Sequence, residues 1–330
     1  MKKVAVIILN WNGASLLRRF LPSVMAGTDS SVADVIVADN GSTDDSLDVL
    51  RDEFPGVKVL AYPENYGFAE GYNKALADTR YPYTVLLNSD VAVRPGWVNT
   101  LHEYMEEHPG TGACQPKILS AVNPKYFEYA GASGGFLDRH GYPYCRGRIF
   151  DTCEEDHGQY DTTMEIHWAT GAALMVRTQL YLDLGGLDPA FFAHMEEIDL
   201  CWRMRLAGHK IAVVPAAVVE HLGGASLAAG NPRKTYLNFR NNLLMLHKNL
   251  PDGSRRGTLV RRRLLDTLAW CKFVASLDFK NAAAILKAHK DFRKMRARYD
   301  EHPSADLIAG ERNILLDYYL RRRHSFEELK

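Results

Sequence analysis

Short apolar runs alternate with longer amphipathic segments along the first third of the chain. The runs at 4–9, 32–38, 57–61 and 84–87 are rich in residues that favour β-strands. Between the first two runs, apolar side chains recur at helical spacing over residues 14–25. Fully apolar strands that alternate with helices are typical of a parallel sheet covered on both faces. The pattern therefore predicts a doubly wound α/β fold with a mostly parallel sheet.

Polar residues follow the ends of these runs. Asn10 and Asn12 follow the first run, Asp39, Asn40 and Ser42 the second, and Asn88, Ser89 and Asp90 the fourth. The carboxyl ends of parallel strands meet at the edge of the sheet where α/β proteins bind ligands. The chain has neither a G-x-G-x-x-G after its first strand nor a Walker-type G-x-x-x-x-G-K. Phosphate groups would therefore have to be bound without a glycine-rich loop, and we expect a divalent metal at Asp90 to bind them.

Two helices are expected to begin at polar turns. Ser42 or Thr43 can cap a helix that runs to about Phe54, and Asn65 opens a turn before a helix that runs to about Asp78. The Asn65 turn could also be no more than a helix start.

The middle of the chain is less regular. Residues 121–164 have little periodicity and are predicted to form a long excursion over the site. Small residues around Gly171 would let the backbone approach a ligand closely.

A helix over 196–207 carries Glu196, Glu197 and Asp199 in its first turn, which suits either the helix dipole or a catalytic role. A last strand at 211–214 precedes His221, which could be structural or a ligand.

Charge divides the chain near residue 230. Residues 1–230 carry 18 Lys and Arg against 29 Asp and Glu, whereas residues 231–330 carry 22 against 11. We therefore expect an acidic α/β domain over 1–230 and a basic, mostly helical extension over 231–330. The extension is predicted either to be a solvated packing arm or to contact anionic lipid headgroups.

The remaining composition favours an intracellular location. Five cysteines without a C-x-x-C pair fit a reducing compartment, and no segment approaches the ~20 apolar residues that span a bilayer. The expectation is a cytoplasmic protein, peripheral on the inner face of the membrane if the extension binds lipid. No nucleic-acid partner is expected.

Eight short motifs, taken in order, resemble the family 2 glycosyltransferases of the GT-A fold, and most closely their bacterial rhamnosyltransferase-like branch. The motifs are VIILNWN (6–12), VADNGSTD (37–44), NYGFAEGYN (65–73), LNSD (87–90), TGA (170–172), GLDPAFF (186–192), EEIDLCWR (196–203) and HLGGAS (221–226). Each is weak alone, but eight in order over about residues 3–250 are specific. The triplet RNN at 240–242 also resembles this branch.

The resemblance implies a role for each motif. Asp39 would bind the pyrimidine of the nucleotide, Asp90 and His221 would hold Mn²⁺ or Mg²⁺, and Glu197 would be the catalytic base. The predicted nucleotide-sugar contacts are Asn10, Asn12, Asp39, Asn40, Ser42, Asn65, Gly67, Phe68, Asn73, Asn88, Ser89 and Gly171.

Two departures from the family pattern leave alternatives open. Asn88 stands where the first acid of the D-x-D motif is usual, and Glu197 stands where Asp is usual. Glu196 or Asp199 could therefore share or take the role of base. A non-catalytic nucleotide-sugar or glycan-binding relative and a sugar nucleotidyltransferase remain as alternative functions.

The leading hypothesis is an inverting glycosyltransferase of cell-surface polysaccharide synthesis. Its donor would be a dTDP- or UDP-sugar, with dTDP-L-rhamnose favoured by the branch that the chain resembles. Its acceptor would be a hydroxyl of a glycan or a lipid-linked glycan.

Overall fold

A mixed β-sheet flanked by helices forms the centre of the molecule. The computed structural model describes residues 2–223 and 230–329. In chain order the strands are β1 (Val4–Asn10), β2 (Ala33–Asp39), β3 (Lys58–Ala61), β4 (Tyr83–Asn88), β5 (Val91–Val93), β6 (Thr111–Ser120), β7 (Gly135–Leu137), β8 (Pro143–Cys145), β9 (Arg148–Ile149), β10 (Thr152–Cys153), β11 (Met164–Ile166), β12 (Ala173–Arg177) and β13 (Lys210–His221).

Helices alternate with the first strands and dominate the last hundred residues. They are α1 (Ala14–Gly27), α2 (Ser46–Glu53), α3 (Gly67–Ala77), α4 (Trp97–Glu107), α5 (Thr178–Asp183), α6 (Glu196–Leu206), α7 (Pro232–Asn249), α8 (Asp252–Ala275) and α9 (Phe279–Met295). Short 3₁₀ turns lie at Pro189–Phe191, Arg296–Arg298 and Glu327–Leu329, and a π turn lies at Leu316–Leu320.

The large sheet has the strand order β11-β13-β6-β12-β4-β1-β2-β3, with β5 paired to β13. Strands β4, β1, β2 and β3 are mutually parallel, as are β6 and β13. Strand β12 runs antiparallel between β4 and β6 and so joins the two halves. The predicted α/β fold with a doubly wound, mostly parallel sheet is confirmed. Its inner strands are buried on both faces, as their unbroken apolar sequences require.

Two local expectations were wrong. Helix α2 begins at Ser46 with Asp45 at its N-cap position, so Ser42 and Thr43 lie too far upstream to cap it, and the Ser42 hydroxyl donates to Asp39 instead. The last strand continues beyond residue 214 to His221, through an irregularity between Val214 and Val218.

The excursion over 121–164 is also more ordered than its sequence suggests. Strands β7 to β10 form a small antiparallel sheet within it. Phe326, far along the chain, packs its ring against Phe136 and Tyr144 of this sheet. The long excursion is thus held by contacts that are remote in sequence.

The helical prediction for the C-terminal hundred residues holds as far as Met295, after which turns replace long helices. Leu243, Leu244, Met245 and Leu246 of α7 are buried in the same hydrophobic core as the large sheet. The boundary at residue 230 stays a prediction, but a cut there would separate α7 from the core that it helps to form. Among the described helices, none is both long enough and apolar enough to cross a membrane.

Candidate active site

The carboxyl ends of β1, β2 and β4 bring predicted site residues to one edge of the sheet. In the parallel register Asn10 lies beside Asp39, and Leu9 lies beside Asn88. The backbone N–H of Asn88 also donates to the carbonyl of Ala172 at 3.0 Å, which brings the loop around Gly171 to the same edge.

Asp39 is completely buried and organises the loop after β2. Its carboxylate accepts hydrogen bonds from the Asn10 amide at 2.9 Å, the Ser42 N–H at 2.9 Å and the Ser42 hydroxyl at 2.7 Å. Asn12 adds to this network, since its side-chain oxygen accepts from the Thr43 N–H at 2.7 Å. The side-chain oxygen of Asn10 is buried and has no hydrogen-bond partner within the described part of the chain.

A second turn lies next to this loop. The Asn40 amide donates to the Asn65 side-chain oxygen and to the Gly67 carbonyl, both at 3.0 Å. Gly67 has a φ of 79°, a left-handed conformation that glycine adopts without a steric penalty. The Asn40 contacts therefore fix the turn from which α3 begins.

The side chains of Asp90 and His221 meet where β4 and β13 end. Nε2 of His221 lies 3.1 Å from Oδ1 of Asp90 and 3.4 Å from Nδ2 of Asn88. On the other side of the ring, Nδ1 lies 3.1 Å from Oε2 of Glu128, a carboxylate that sequence reasoning missed. All three ionisable groups are at least nine-tenths buried. Burial opposes a charge on His221, but Asp90 and Glu128 raise its pKa to about 10.

This arrangement suits a metal only if other ligands complete it. Within residues 2–223 and 230–329, no three His, Cys, Asp or Glu side chains are grouped as a ready metal site. Asp90 and His221 nevertheless offer a carboxylate oxygen and an imidazole nitrogen side by side. Mn²⁺ or Mg²⁺ could bind there with diphosphate and water oxygens as the remaining ligands. Ser89 is half-buried in the turn beside them, and Gly224, Ala225 and Ser226 of the predicted motif lie outside the described residues.

Glu197 lies at the start of α6, close to the loop around Gly171. A Cβ added to Gly171 would lie 3.5 Å from Cζ of Phe68 and 3.7 Å from Cβ of Glu197, so these three residues are neighbours. Oε2 of Glu197 is enclosed and has no hydrogen-bond partner among the described residues. Burial raises the pKa of Glu197 to about 7, and nearby backbone N–H groups oppose the rise.

The carboxylates of Glu196 and Asp199 lie near Glu197, and their pKa values are shifted in opposite directions. Burial and the adjacent Glu197 raise the pKa of Glu196 well above its ordinary value. Burial would also raise the pKa of Asp199, but Arg203, Lys248 and the Asn249 amide hold it below its usual range. The Asp199 carboxylate accepts from Arg203 at 2.8 Å, Lys248 at 3.0 Å and Asn249 at 2.8 Å. A paired, ionised carboxylate of this kind suits a structural role better than proton transfer.

Asn73 has contacts that differ from those of the other predicted nucleotide residues. Its amide donates to the Leu187 carbonyl at 2.7 Å, and its side-chain oxygen accepts from the Tyr181 hydroxyl at 2.6 Å and the Leu187 N–H at 2.9 Å. The side chain thus joins α3 to the turn before α6, and its nucleotide role stays a prediction.

Comparison with known proteins identifies the class of fold and domain. Residues 5–158 match the model of the family described as Glycosyl transferase family 2. The chain is 27% identical over 230 residues to the N-acetylglucosaminyl-diphospho-decaprenol L-rhamnosyltransferase of Mycobacterium tuberculosis. The aligned region covers 66% of this chain and 75% of that protein. It is 29% identical over 228 residues to the Pre-mycofactocin glycosyltransferase of the same species, covering 67% of this chain and 43% of that protein.

Solved structures give the same fold at low sequence identity. GalNAc-T7 with UDP, GalNAc and Mn²⁺ superposes with a TM-score of 0.59 at 16% identity, over 76% of this chain and 49% of that one. S. aureus TarS 1–349 in complex with UDP-GlcNAc superposes with a TM-score of 0.57 at 16% identity, over 88% of this chain and 80% of that one. At these identities the likeness concerns the fold alone, and it confirms the expected GT-A fold.

The contacts of Asp199 predict a stability effect that can be measured. Changing Asp199→Asn removes the counter-charge of Arg203 and Lys248, and breaking a buried ion pair costs about 3–5 kcal/mol of unfolding free energy. Because its folded-state pKa is depressed, Asp199 stabilises the protein above its unfolded pKa of about 3.9. The difference from wild type should therefore shrink as the pH falls below about 4 in urea unfolding.

The exposed Asp48 is a matched control, since its carboxylate pairs with Arg51 on the surface of α2. Asp48→Asn should change stability by less than about 1 kcal/mol. An Asp199→Asn variant as stable as wild type but without turnover would contradict the structural role.

Proposed function

We propose that the protein is an inverting, metal-dependent glycosyltransferase, and the match of residues 5–158 to the glycosyl transferase family 2 model supports this proposal. The observation that carries the proposal is Glu197, a carboxylate with an unpartnered enclosed oxygen beside Phe68 and Gly171 at the ligand-binding edge. The name of the mycobacterial relative favours L-rhamnose as the sugar and a lipid-linked glycan as the acceptor. These would place the enzyme in cell-surface polysaccharide synthesis.

The donor proposal rests on the unused bonding capacity at Asp39. A carboxylate offers about four acceptor positions, and Asn10 and Ser42 occupy three of them. Because Asp39 is fully buried in this structure, the N–H of a uracil or thymine ring would reach the fourth position only after the loop that follows β2 has moved. The dTDP- and UDP-sugars are therefore the donors that we expect, with dTDP-L-rhamnose first.

Asp90 and His221 would hold Mn²⁺ or Mg²⁺, with Glu128 orienting the imidazole. The Glu128 carboxylate lies 3.1 Å from Nδ1, and a negative charge there favours the tautomer that leaves Nε2 to a metal once the metal has displaced the second ring proton. When bound, the metal would neutralise the charge that develops on the diphosphate. Asn88 can contribute a neutral oxygen or a contact to the donor.

In the proposed reaction the acceptor hydroxyl oxygen attacks the anomeric carbon of the donor sugar. The new C–O bond forms as the bond to the diphosphate breaks, so the nucleoside diphosphate leaves with the electron pair. Glu197 takes the hydroxyl proton during the attack. One displacement inverts the anomeric centre, and a second carboxylate nucleophile is not required.

Helix α8 supplies a surface for the acceptor's membrane. Val260, Leu264 and Leu268 follow one another at i+4 spacing and remain 55%, 64% and 66% exposed. The exposed Arg261 and Arg263 flank this apolar stripe, whereas Arg262 faces inward and pairs with Asp266 at 3.1 Å. An exposed apolar stripe bordered by arginines suits the headgroup region of an anionic bilayer. We expect peripheral binding to the inner face of the membrane.

A donor panel tests the reaction. The protein is incubated with dTDP-rhamnose, UDP-galactose, UDP-glucose, UDP-N-acetylglucosamine or GDP-mannose and Mn²⁺, and the released nucleoside diphosphate is measured. We expect turnover of one pyrimidine donor, and a loss of at least ~10²-fold in Glu197→Gln because proton removal is lost. Asp90→Ala should also lose turnover and require more Mn²⁺.

Glu196→Gln distinguishes the two possible bases, because it removes a carboxylate next to Glu197 without removing Glu197 itself. A full loss in Glu196→Gln with normal turnover in Glu197→Gln would reassign the base. Intact donor binding without any turnover would favour a binding protein over an enzyme.

The pH profile provides a second test. A general base works only when it is ionised, so kcat should rise with pH through a pKa of about 7, the value to which burial raises Glu197. Below that pH, kcat should fall about tenfold per unit. A profile that is flat between pH 5 and 8 would contradict Glu197 as the base.

Sedimentation with lipid vesicles tests the membrane surface. The double change Leu264→Glu and Leu268→Glu should reduce binding to vesicles that contain phosphatidylglycerol, because it places charge on the apolar stripe. Val122→Glu is the matched control, since Val122 is 75% exposed but lies far along the chain from α8. Equal vesicle binding by wild type and the double variant would contradict the proposal that the apolar stripe of α8 contacts the membrane.

A further inference from the structure

The segment immediately before Glu196 and Glu197 has an unusual backbone conformation. Phe192, His194 and Met195 have φ angles of 65°, 69° and 74°, a left-handed region that side chains other than glycine rarely adopt. Such a conformation persists only where surrounding contacts impose it, and it often occurs at functional sites. We call residues 190–195 the base loop, because this segment leads directly into the first turn of α6.

Two adjacent side chains of α7 hold the base loop through its carbonyl groups. The Asn241 amide donates to the carbonyls of Phe191 at 2.9 Å, Ala193 at 2.8 Å and His194 at 2.7 Å. Arg240 donates to the carbonyls of Ala190 at 3.0 Å and Phe191 at 2.8 Å. Arg240 also donates to the Asn241 side-chain oxygen at 2.8 Å, which fixes the orientation of the amide.

These contacts are protected from water. Asn241 is fully buried, and Arg240 is 8% exposed. Buried hydrogen bonds to backbone carbonyls are costly to lose, because the carbonyls are then left without partners. The bonds from α7 are therefore well suited to stabilising a backbone that is intrinsically unfavourable.

The base loop also contacts the predicted donor side of the site. A Cβ placed on Gly67 would lie 3.2 Å from Cε2 of Phe192, so the aromatic ring rests on the turn that Asn40 and Asn65 hold. On its other side the loop continues into α6, whose first turn has no side-chain cap. The position of Glu197 relative to the donor therefore depends on the conformation of this loop.

We infer that Arg240 and Asn241 are positioning residues that set the base loop and thereby aim the Glu197 carboxylate. The inference rests on the proposed function in that Glu197 is the base. It assigns α7, which lies beyond the charge boundary of the sequence, to the catalytic unit.

Asn241→Ala and Asn242→Ala form a matched pair for the test. Both amides are buried on α7 and donate to backbone carbonyls, but Asn242 donates to Gly141 at 2.6 Å, in the excursion. Each change removes the same chemical group from a buried position on the same helix. Only Asn241→Ala releases the base loop.

We expect Asn241→Ala to lower kcat by about 10- to 100-fold with the donor KM changed by less than about threefold, because misplaced groups lose rate. The pKa in its kcat profile should shift downward, since a loosened loop lets water reach Glu197. Asn242→Ala should keep kcat within about threefold of wild type with an unshifted profile. Equal losses of kcat in both variants, or an unchanged profile in Asn241→Ala, would overturn the inference.

Hydrogen–deuterium exchange provides a readout that does not need transferase activity. Asn241→Ala should accelerate exchange in peptides that cover 190–200, whereas Asn242→Ala should do so around 138–145. If Glu197→Gln retains turnover but this exchange pattern appears, the proposed base fails while the loop restraint stands. If Asn241→Ala does not fold, Arg240→Lys provides the same test, because lysine cannot contact both carbonyls with a planar group. Unchanged exchange over 190–200 would reject the restraint.

Discussion

The buried charge of Asp199 is the interaction on which the candidate site depends most. An ionised carboxylate in a core is tolerated only with close partners, and here the partners come from two helices. Arg203 lies one turn along α6, whereas Lys248 and Asn249 lie at the end of α7. The need to satisfy this charge joins α6 to α7. It thereby fixes the helix that carries Glu197.

The first turn of α6 illustrates how surroundings assign different roles to similar groups. Asp199 is held ionised by two cations, whereas Glu197, two residues earlier, has an enclosed oxygen without a partner and a raised pKa. Carboxylates whose pKa values are pushed apart in this way commonly divide into a structural or electrostatic member and a proton-transfer member. The same contrast argues against reading the three acids simply as favourable charges for the helix dipole.

Much of the fold could be predicted from local sequence, because fully apolar strands and short polar turns carry their own physical signal. The edge that gathers Asn10, Asp39 and Asn88 follows from the parallel order of the strands. Strand β12 and the small sheet in the excursion could not be predicted in this way. Their strands are short, and partners distant in sequence, such as Phe326, hold the small sheet.

The sequence by itself determined the α/β class, the family resemblance and the identity of the acids available for chemistry, because these follow from periodicity and from motifs in a linear order. Only the tertiary structure decided which acids are paired. Glu128 has no motif of its own, yet it reaches His221 from 93 positions away. Arg240 and Asn241 likewise act on a loop about 50 residues earlier in the chain. Burial and pairing arise from contacts between distant segments, and no local pattern of residues records them.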